Sequence, residues 1–566
     1  VPPLTVAFAA PHPAAADAAR AVVAAGGNAL DAALAGAAAL TVAYPHQCSI
    51  GGDLVAIVRP AGAAPRAVLS IGAAAAAVDV AALRAAGPLA DPTDSGEQLG
   101  PRMPFEGPQT VTVPGVVAGW AAIAGLGARL PLAELLAPAR ALAADGVPVS
   151  AGLRRAVLGR LDGVRADPGL SALLLDRAGE PVGTLVQPAL AASLDLLAGD
   201  WRSFYSGRLA QRLVAGLARL GIPLSAGDLA AHRAEITDPL TRVIDGVTWH
   251  AAPPPVQGAT FLAVAGSPAL LADARRAQLA RNVLLGDPRT GPVDLDGLLL
   301  RNPVTGAERT GPVAPDGQVR RDPVAGAEVE STGPQPGRAE STGPRPPRAE
   351  STGPRPPRAE STGPRPPRAE STGPRPGGDT VAVTAVDSGG TAVTLIQSVF
   401  GSFGSGLLEP GTGIVLHNRG SSFSLDPSHP GRLAPGVRPP HTLCPALAVG
   451  ADTVVALGCQ GGRSQPWILA QVAADALVSP RLDEVLARPR WVIGAEEIDR
   501  RVATLLLEPG TPGAAGLAST AAGLGLAVET TGGRHDDAGH VQVARLSGGV
   551  LAAASDPRAD GQAIVT

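Results

Sequence analysis

The plainest two-residue alternation in the chain runs over 380–387 (TVAVTAVD) and resumes over 391–398 (TAVTLIQS). Ser388-Gly389-Gly390 between them is turn chemistry, so the pattern predicts a β-hairpin that begins at Thr380. Strands are also predicted at 51–60 (GGDLVAIVRP), 65–72 (PRAVLSIG), 443–459 (LCPALAVGADTVVALGC), 540–549 and 550–556. Three- and four-residue spacing marks helices instead. One runs from Pro13 to a Gly26-Gly27 stop, and a second is capped by Asn28 and reaches about Val42. Residues 113–235 are mostly helical by the same criterion, and QPWILAQVAADALV (465–478) is a further helix. Helices and antiparallel strands mixed in both halves predict an α+β layered sandwich.

Between Gly286 and Gly378 this periodicity stops. Pro, Gly, Arg and Glu dominate, and AESTGPRPPR recurs every ten residues from Ala339. No repeat carries a core-forming face to offset the entropy of ordering, so the tract is expected to be disordered or polyproline-like rather than a solenoid. The expected organisation is a folded part at 1–286, the repeat tract at 287–379 and a second folded part at 380–566. The tract ends at Gly377-Gly378-Asp379, directly against the strand that starts with Thr380.

Composition narrows the function classes. Of the 566 residues, 45% are apolar and 17% charged, enough for a large core and against wholesale disorder. The net charge is -4 and all the basic residues are arginine, without clustering on any predicted helix, so no nucleic-acid footprint is visible. Cys48, Cys444 and Cys459 have no metal-site spacing and read as inert buried thiols; neither a metal nor a cofactor is expected. The segment ALDAALAGAAALTVAY is the nearest approach to a membrane span, but Asp31 and its alanines suit an internal helix, so no membrane partner is expected. The chain as given opens without a leader-type segment, which favours the cytoplasm, or an extracytoplasmic site if a leader has been removed.

A threonine hydroxyl needs a base. Cutting the peptide bond before Thr380 would supply one, because the new α-amine titrates near pH 8 and is partly neutral at physiological pH. The flanking motifs point the same way. AGGNALDAALAGAAALTVAYPHQCSIGGD (25–53), VPGVVAGW (113–120), LLAPARALAADGVPVS (135–150), FYSGRLA (204–210) and PPPVQGA (253–259) come before the repeats. After them come FGSGLLEPGTGIVLHNRGSSFS (403–424), APGVRPPHTLCPA (434–446), GCQGG (458–462) and SDPRADG (555–561). In this order the chain resembles the γ-glutamyltransferase family of N-terminal-nucleophile hydrolases. The resemblance implies a four-layer αββα sandwich and a precursor that cuts itself between Asp379 and Thr380 into two subunits that stay associated. It implies Thr380 as nucleophile, Ser398 as a supporting hydroxyl, and Gly461 and Gly462 as backbone donors to an oxyanion.

The departures from the family pattern bear on the substrate. Where the family has an arginine for the donor's α-carboxylate, this chain has LSIGAAAAAV (69–78). Where it has acids for the α-amine, this chain has HNRGSSF, with Arg419 and Ser422; His441-Thr442 replace a serine pair. Losing both ends of a zwitterion clamp costs about 3–6 kcal/mol if each charged hydrogen bond is worth about 1.5–3 kcal/mol. An arginine where an ammonium would sit adds repulsion, and Arg419 suits a carboxylate. The pattern resembles those members of the family that hydrolyse other small amides. The expected partner is a small-molecule amide whose acyl part carries a carboxylate. Two alternatives stand beside this: a true γ-glutamyltransferase, and a non-catalytic interaction protein that binds through its Pro/Arg repeats.

Overall fold

A computed structural model describes residues 4–86, 102–301, 379–495 and 498–566. The ten-residue repeats, and the disorder expected of them, lie outside the described residues. The described residues form one compact unit built on two antiparallel sheets.

The first sheet takes β1 (Val6–Ala10), β2 (Asp53–Arg59), β3 (Arg66–Ser70), β4 (Glu235–Thr237), β7 (Asp379–Asp387), β8 (Ala392–Phe400) and β13 (Gln562–Val565). Their order is β13-β1-β7-β8-β2-β3-β4. The second sheet takes β5 (Leu240–Ile244), β6 (Val247–Ala251), β9 (Ala446–Val449), β10 (Thr453–Cys459), β11 (Val541–Ser547) and β12 (Val550–Ser555), in the order β12-β11-β10-β9-β6-β5. Hairpin β7–β8 is the one the alternation predicts, and it lies at the centre of the first sheet. The sequence pattern does not reveal β1 or β13. VAFAA is buried on both faces and so shows no alternation, and β13 is short and pairs with β1 across nearly the whole chain.

Side-chain alternation sorts each strand between two cores. Ala382, Val386, Ala392, Ile396, Val55 and Ile57 face Leu447, Ala456 and Ala544 of the second sheet. Val381, Val383, Ala385, Val393 and Leu395 pack instead against helices α1 (Pro13–Ala24), α2 (Ala29–Ala43) and α4 (Leu132–Asp145), with α3 (Val116–Ala124) beside them. On the far side of the second sheet, Trp249, Ala446, Val455 and Val543 pack against α5 (Gly258–Val264) and α6 (Gln465–Val478).

Helix α2 is buried along its whole length, as its alanines require. Its N-terminus has the predicted cap: the Asn28 side chain accepts from Leu30 N and Asp31 N, and Asp31 accepts from Asn28 N at 2.7 Å. The buried Asp31 also accepts from Arg129 N and Leu130 N, so its carboxylate is satisfied by backbone donors without a cation. Among the described residues no helix is long and apolar enough to cross a membrane. All three cysteines are buried and unpaired, and burial pushes the Cys48 thiol up to about 12.

Candidate active site

Strand β7 starts at Asp379, and its alternation places Thr380 on the same face as Ala382 and Val386, between the sheets. Thr380 is buried, and its hydroxyl donates to Ser398 Oγ at 3.1 Å. Ser398 in turn donates to the Asp379 carbonyl oxygen at 2.6 Å and accepts from Phe400 N at 2.8 Å. A serine hydroxyl has one proton to give and two lone pairs to fill, so Ser398 is saturated. The hydroxyl of Thr380 is therefore linked, through one side chain, to the carbonyl oxygen of the bond preceding it.

A β-bulge produces this geometry. Gln397 pairs with Val381, but the next pair is Phe400 with Asp379, so β8 carries one extra residue at Ser398–Val399. Phe400 takes a φ of +79°, a conformation disfavoured for an aromatic side chain, and its ring lies 3.7 Å from the Arg419 guanidinium carbon.

On its other edge β8 pairs with β2, and Ser398 stands opposite Asp53. The glycines of IGGD permit the approach: a Cβ on Gly52 would lie 2.3 Å from Ser398 O, and one on Gly51 would lie 2.2 Å from Val415 O. Asp53 is fully buried. Its Oδ1 accepts from Gly72 N at 3.0 Å, and its Oδ2 lies 3.3 Å from His441 Nε2 and 3.5 Å from His417 Nδ1. His441 Nδ1 accepts from Leu443 N, which leaves Nε2 as the protonated nitrogen facing Asp53. His417 Nε2 faces the Thr112 carbonyl at 2.8 Å, which leaves its Nδ1 as a bare lone pair toward Asp53. Burial pushes both imidazoles down, His417 to about 4, and pushes the Asp53 carboxyl above the usual carboxylate range.

Arg419 opens a short 3-10 turn, Arg419–Ser422, and is only 1% exposed. It is therefore not a solvent-facing loop residue. Its Nη2 donates to Thr442 Oγ1 at 3.1 Å, while Nε and Nη1 are buried without an acceptor among the described residues. Burial lowers its pKa, opposed by the negative charge of Asp53. Leaving such donors unsatisfied costs about 1–3 kcal/mol each, more when charged, which favours an anionic ligand at this place. Ser422 lies on the same turn. Its hydroxyl lies 2.7 Å from Arg419 O and 2.9 Å from Pro440 O, which ties the turn to the loop carrying His441 and Thr442.

Gly461 and Gly462 join β10 to α6 with φ of 139° and 50°. Gly462 is tied to the Arg419 group through Gln257. Gln257 Nε2 donates to the carbonyls of Thr442 and Gly462, and its Oε1 accepts from Arg281. A cavity of about 50 Å³ is bounded by Arg281, Ser422, His441, Thr442 and Arg463. A larger cavity of about 660 Å³, lined by His12, Leu142 and Asp560 among others, touches none of these residues.

The structure thus joins Thr380, Ser398 and Asp379 directly, and Arg419, Ser422 and Thr442 directly; Asp53 links His441 to the Ser398 edge. The sequence motifs contained Asp53, His417 and Gln257 but gave them no role, and Phe400 lies between two of the quoted segments. Their placement depends on strand register and on a bulge, neither of which has a local signal.

The sequence profile of the gamma-glutamyltranspeptidase family matches residues 15–267 and 351–566. The chain belongs to this family. The oxamate amidohydrolase proenzyme of Klebsiella pneumoniae is 35% identical over 98% of this chain and 97% of its own length. The acylase ACY 1 proenzyme of Pseudomonas sp. strain SE83 is 28% identical over 88% of this chain and 85% of its own. The crystal structure of a cephalosporin acylase from Bacillus halodurans aligns with a TM-score of 0.75 at 26% identity, over 99% of this chain and 96% of that one. The two reported sequence relatives are named as proenzymes, and the likeness to an amidohydrolase and to acylases agrees with the acylase-like branch of the family.

Proposed function

We propose that the chain is a self-processing amidohydrolase of the αββα N-terminal-nucleophile type, acting on a small amide whose acyl part carries a carboxylate. The observation that carries the reading is the hydrogen-bonded line from Thr380 Oγ1 through Ser398 to the Asp379 carbonyl. In processing, Thr380 Oγ attacks the Asp379 carbonyl carbon. The C–N bond breaks, its nitrogen takes the hydroxyl proton, and an ester forms. Water then hydrolyses the ester to a free Asp379 carboxylate and an N-terminal Thr380. Ser398 stabilises the charge that grows on the carbonyl oxygen by the donation it already makes. The freed amine then acts as base for the same hydroxyl against the substrate amide. The acyl-Thr380 ester is hydrolysed in its turn, with the backbone N–H groups of Gly461 and Gly462 as oxyanion donors.

Arg419 is the residue for the substrate's carboxylate. It sits on Phe400, two residues along β8 from Ser398. One relative is named for oxamate, an amide whose acyl part carries a carboxylate. A second reading, a γ-glutamyl transferase, finds support in Asp53, a carboxylate that an α-ammonium could approach; His441, His417 and Gly72 N already surround it. The test compares kcat/KM for glutaryl and γ-glutamyl anilides, with oxamate alongside, on processed protein. Preference for the acyl groups without an ammonium is expected. A tenfold or greater preference for the γ-glutamyl anilide contradicts the reading.

A further inference from the structure

We propose that Asp287 is a positioning residue for the carboxylate site: through Arg438 it sets the loop 438–442, and with it the Thr442 hydroxyl that holds Arg419. This rests on the reading of Arg419 given above and deepens it by naming what fixes the site from the other side of the Asp379–Thr380 bond.

The sequence of the loop leads there. RPPHT (438–442) lies outside the helices and strands, and its two prolines have a fixed φ and no N–H to donate. Such a segment is stiff but cannot anchor its own middle, so its ends decide where Thr442 stands. At the far end His441 N donates to Pro255 O at 2.8 Å, and Thr442 O accepts from Gln257 Nε2. At the near end Arg438 is bound to two carboxylates. Its backbone N donates to Asp287 Oδ2 at 3.0 Å, and its Nε and Nη2 donate to Asp287 Oδ1 at 3.2 and 2.8 Å. Its Nη1 donates to Glu235 Oε2 at 2.9 Å. Asp287 thus grips both the backbone and the side chain of one residue, which fixes the direction in which the loop leaves it. Both residues are buried. Burial would raise the Asp287 carboxyl, but hydrogen bonds from Arg438 and Arg289 hold it well below the usual carboxylate range, so the anchor stays charged. At the other end of the loop, Thr442 Oγ1 accepts from Arg419 Nη2 at 3.1 Å and so orients the guanidinium over the Phe400 ring.

Asp287, Glu235, Pro255 and Gln257 all precede the Asp379–Thr380 bond, whereas Arg419 and the loop follow it. The part of the chain before the proposed cut therefore shapes a site carried by the part after it. The line from Thr380 through Ser398 to Asp379 is built separately, by hairpin β7–β8 and its bulge. An asparagine at 287 replaces one acceptor oxygen by an NH2 group among the donors of Arg438 and Arg289. The loop keeps a second tether, because Val437 O accepts from Ala74 N at 2.9 Å, so the disturbance is confined to the course of 438–442.

The experiment compares kcat and KM for glutaryl anilide in processed wild type, Asp287→Asn, Arg419→Ala and the double variant. Intact mass follows precursor loss, and thermal unfolding controls for the fold. Asp287→Asn should raise KM about tenfold, within the roughly 10²-fold that an ångström of misplacement can cost. Its kcat and its rate of precursor loss should stay within about twofold of wild type, whereas a merely structural weakening lowers kcat through the active fraction and leaves KM alone. In the Arg419→Ala background the same substitution should add less than about twofold, because its effect passes through Arg419. A wild-type KM in Asp287→Asn, an effect that adds in full to that of Arg419→Ala, or loss of processing in folded Asp287→Asn overturns the proposal. Should Asp287→Asn not fold, Arg438→Lys, which keeps the backbone donor and the charge but loses the guanidinium fork, is held to the same criteria. If Arg419→Ala leaves KM unchanged, the carboxylate reading falls and the proposal with it. A raised KM in Arg419→Ala beside an unchanged one in Asp287→Asn removes only the role of Asp287.

Discussion

Replacing Ser398 with alanine should stall maturation while leaving the fold in place. Among the described residues, Ser398 alone is hydrogen-bonded to both the Thr380 hydroxyl, at 3.1 Å, and the Asp379 carbonyl oxygen, at 2.6 Å. The donation to that oxygen strengthens as negative charge develops on it during attack, so its loss is felt mainly in the transition state. Removing one donor of this kind costs about 2.7–4 kcal/mol, or roughly 10²–10³ in rate. A ground-state cost of about 1–3 kcal/mol each comes in addition from taking the Ser398 hydroxyl away from Asp379 O and Phe400 N. The assay is the time course of precursor loss in freshly purified protein, followed by intact mass, with thermal unfolding as the control for folding. Ser398→Thr, which keeps the hydroxyl, should mature near the wild-type rate. Folded Ser398→Ala that matures within about threefold of wild type, a difference under 1 kcal/mol, would refute the role given to this hydroxyl.

Two further outcomes follow from other parts of the molecule. Arg419→Ala should raise KM for a carboxylate-bearing amide by about 10–10², the loss of charged hydrogen bonds worth about 1.5–3 kcal/mol, while processing proceeds; steady-state kinetics and a denaturing gel read the two effects separately. The buried network of Arg490, Arg558, Asp556 and Glu508 should make the protein acid-sensitive. Burial alone would raise both carboxyls, but Arg490 and Arg558 beside Asp556, and Arg558 beside Glu508, hold them below the usual carboxylate range. Depressed folded-state values contribute stability above the unfolded carboxylate pKa that is lost as pH falls through the folded one. Tm should therefore drop below about pH 4, and Asp556→Asn should cost about 3–5 kcal/mol at neutral pH by leaving buried guanidinium groups unpaired.

Local pattern carries much of this architecture and little of the electrostatics. Hairpin β7–β8, helix α6 and the Asn28 cap each rest on a few consecutive residues, and each lies where the pattern predicts. Thr380 was legible because a strand start and an ordered set of motifs coincide there. Asp53 was not, because its importance comes from the register that sets β2 against β8, a pairing across more than three hundred residues. Arg419 was legible as a departure from the family pattern, but its burial and its stacking on Phe400 come from the bulge at Ser398. Ser422 lines the cavity beside His441 and Thr442, and its hydroxyl also braces two loops through backbone carbonyls, a role with no local signal in the sequence.

The central claim is that Thr380 becomes an N-terminal nucleophile by cutting the chain before itself. The intact-mass spectrum of purified protein, with N-terminal sequencing of the smaller species, tests it most directly. A small chain of 187 residues, 380–566, that begins with Thr380 is expected, with an uncut precursor for Thr380→Ala. A small chain beginning at any other residue, or a Thr380→Ala protein cut at the same bond, would contradict it.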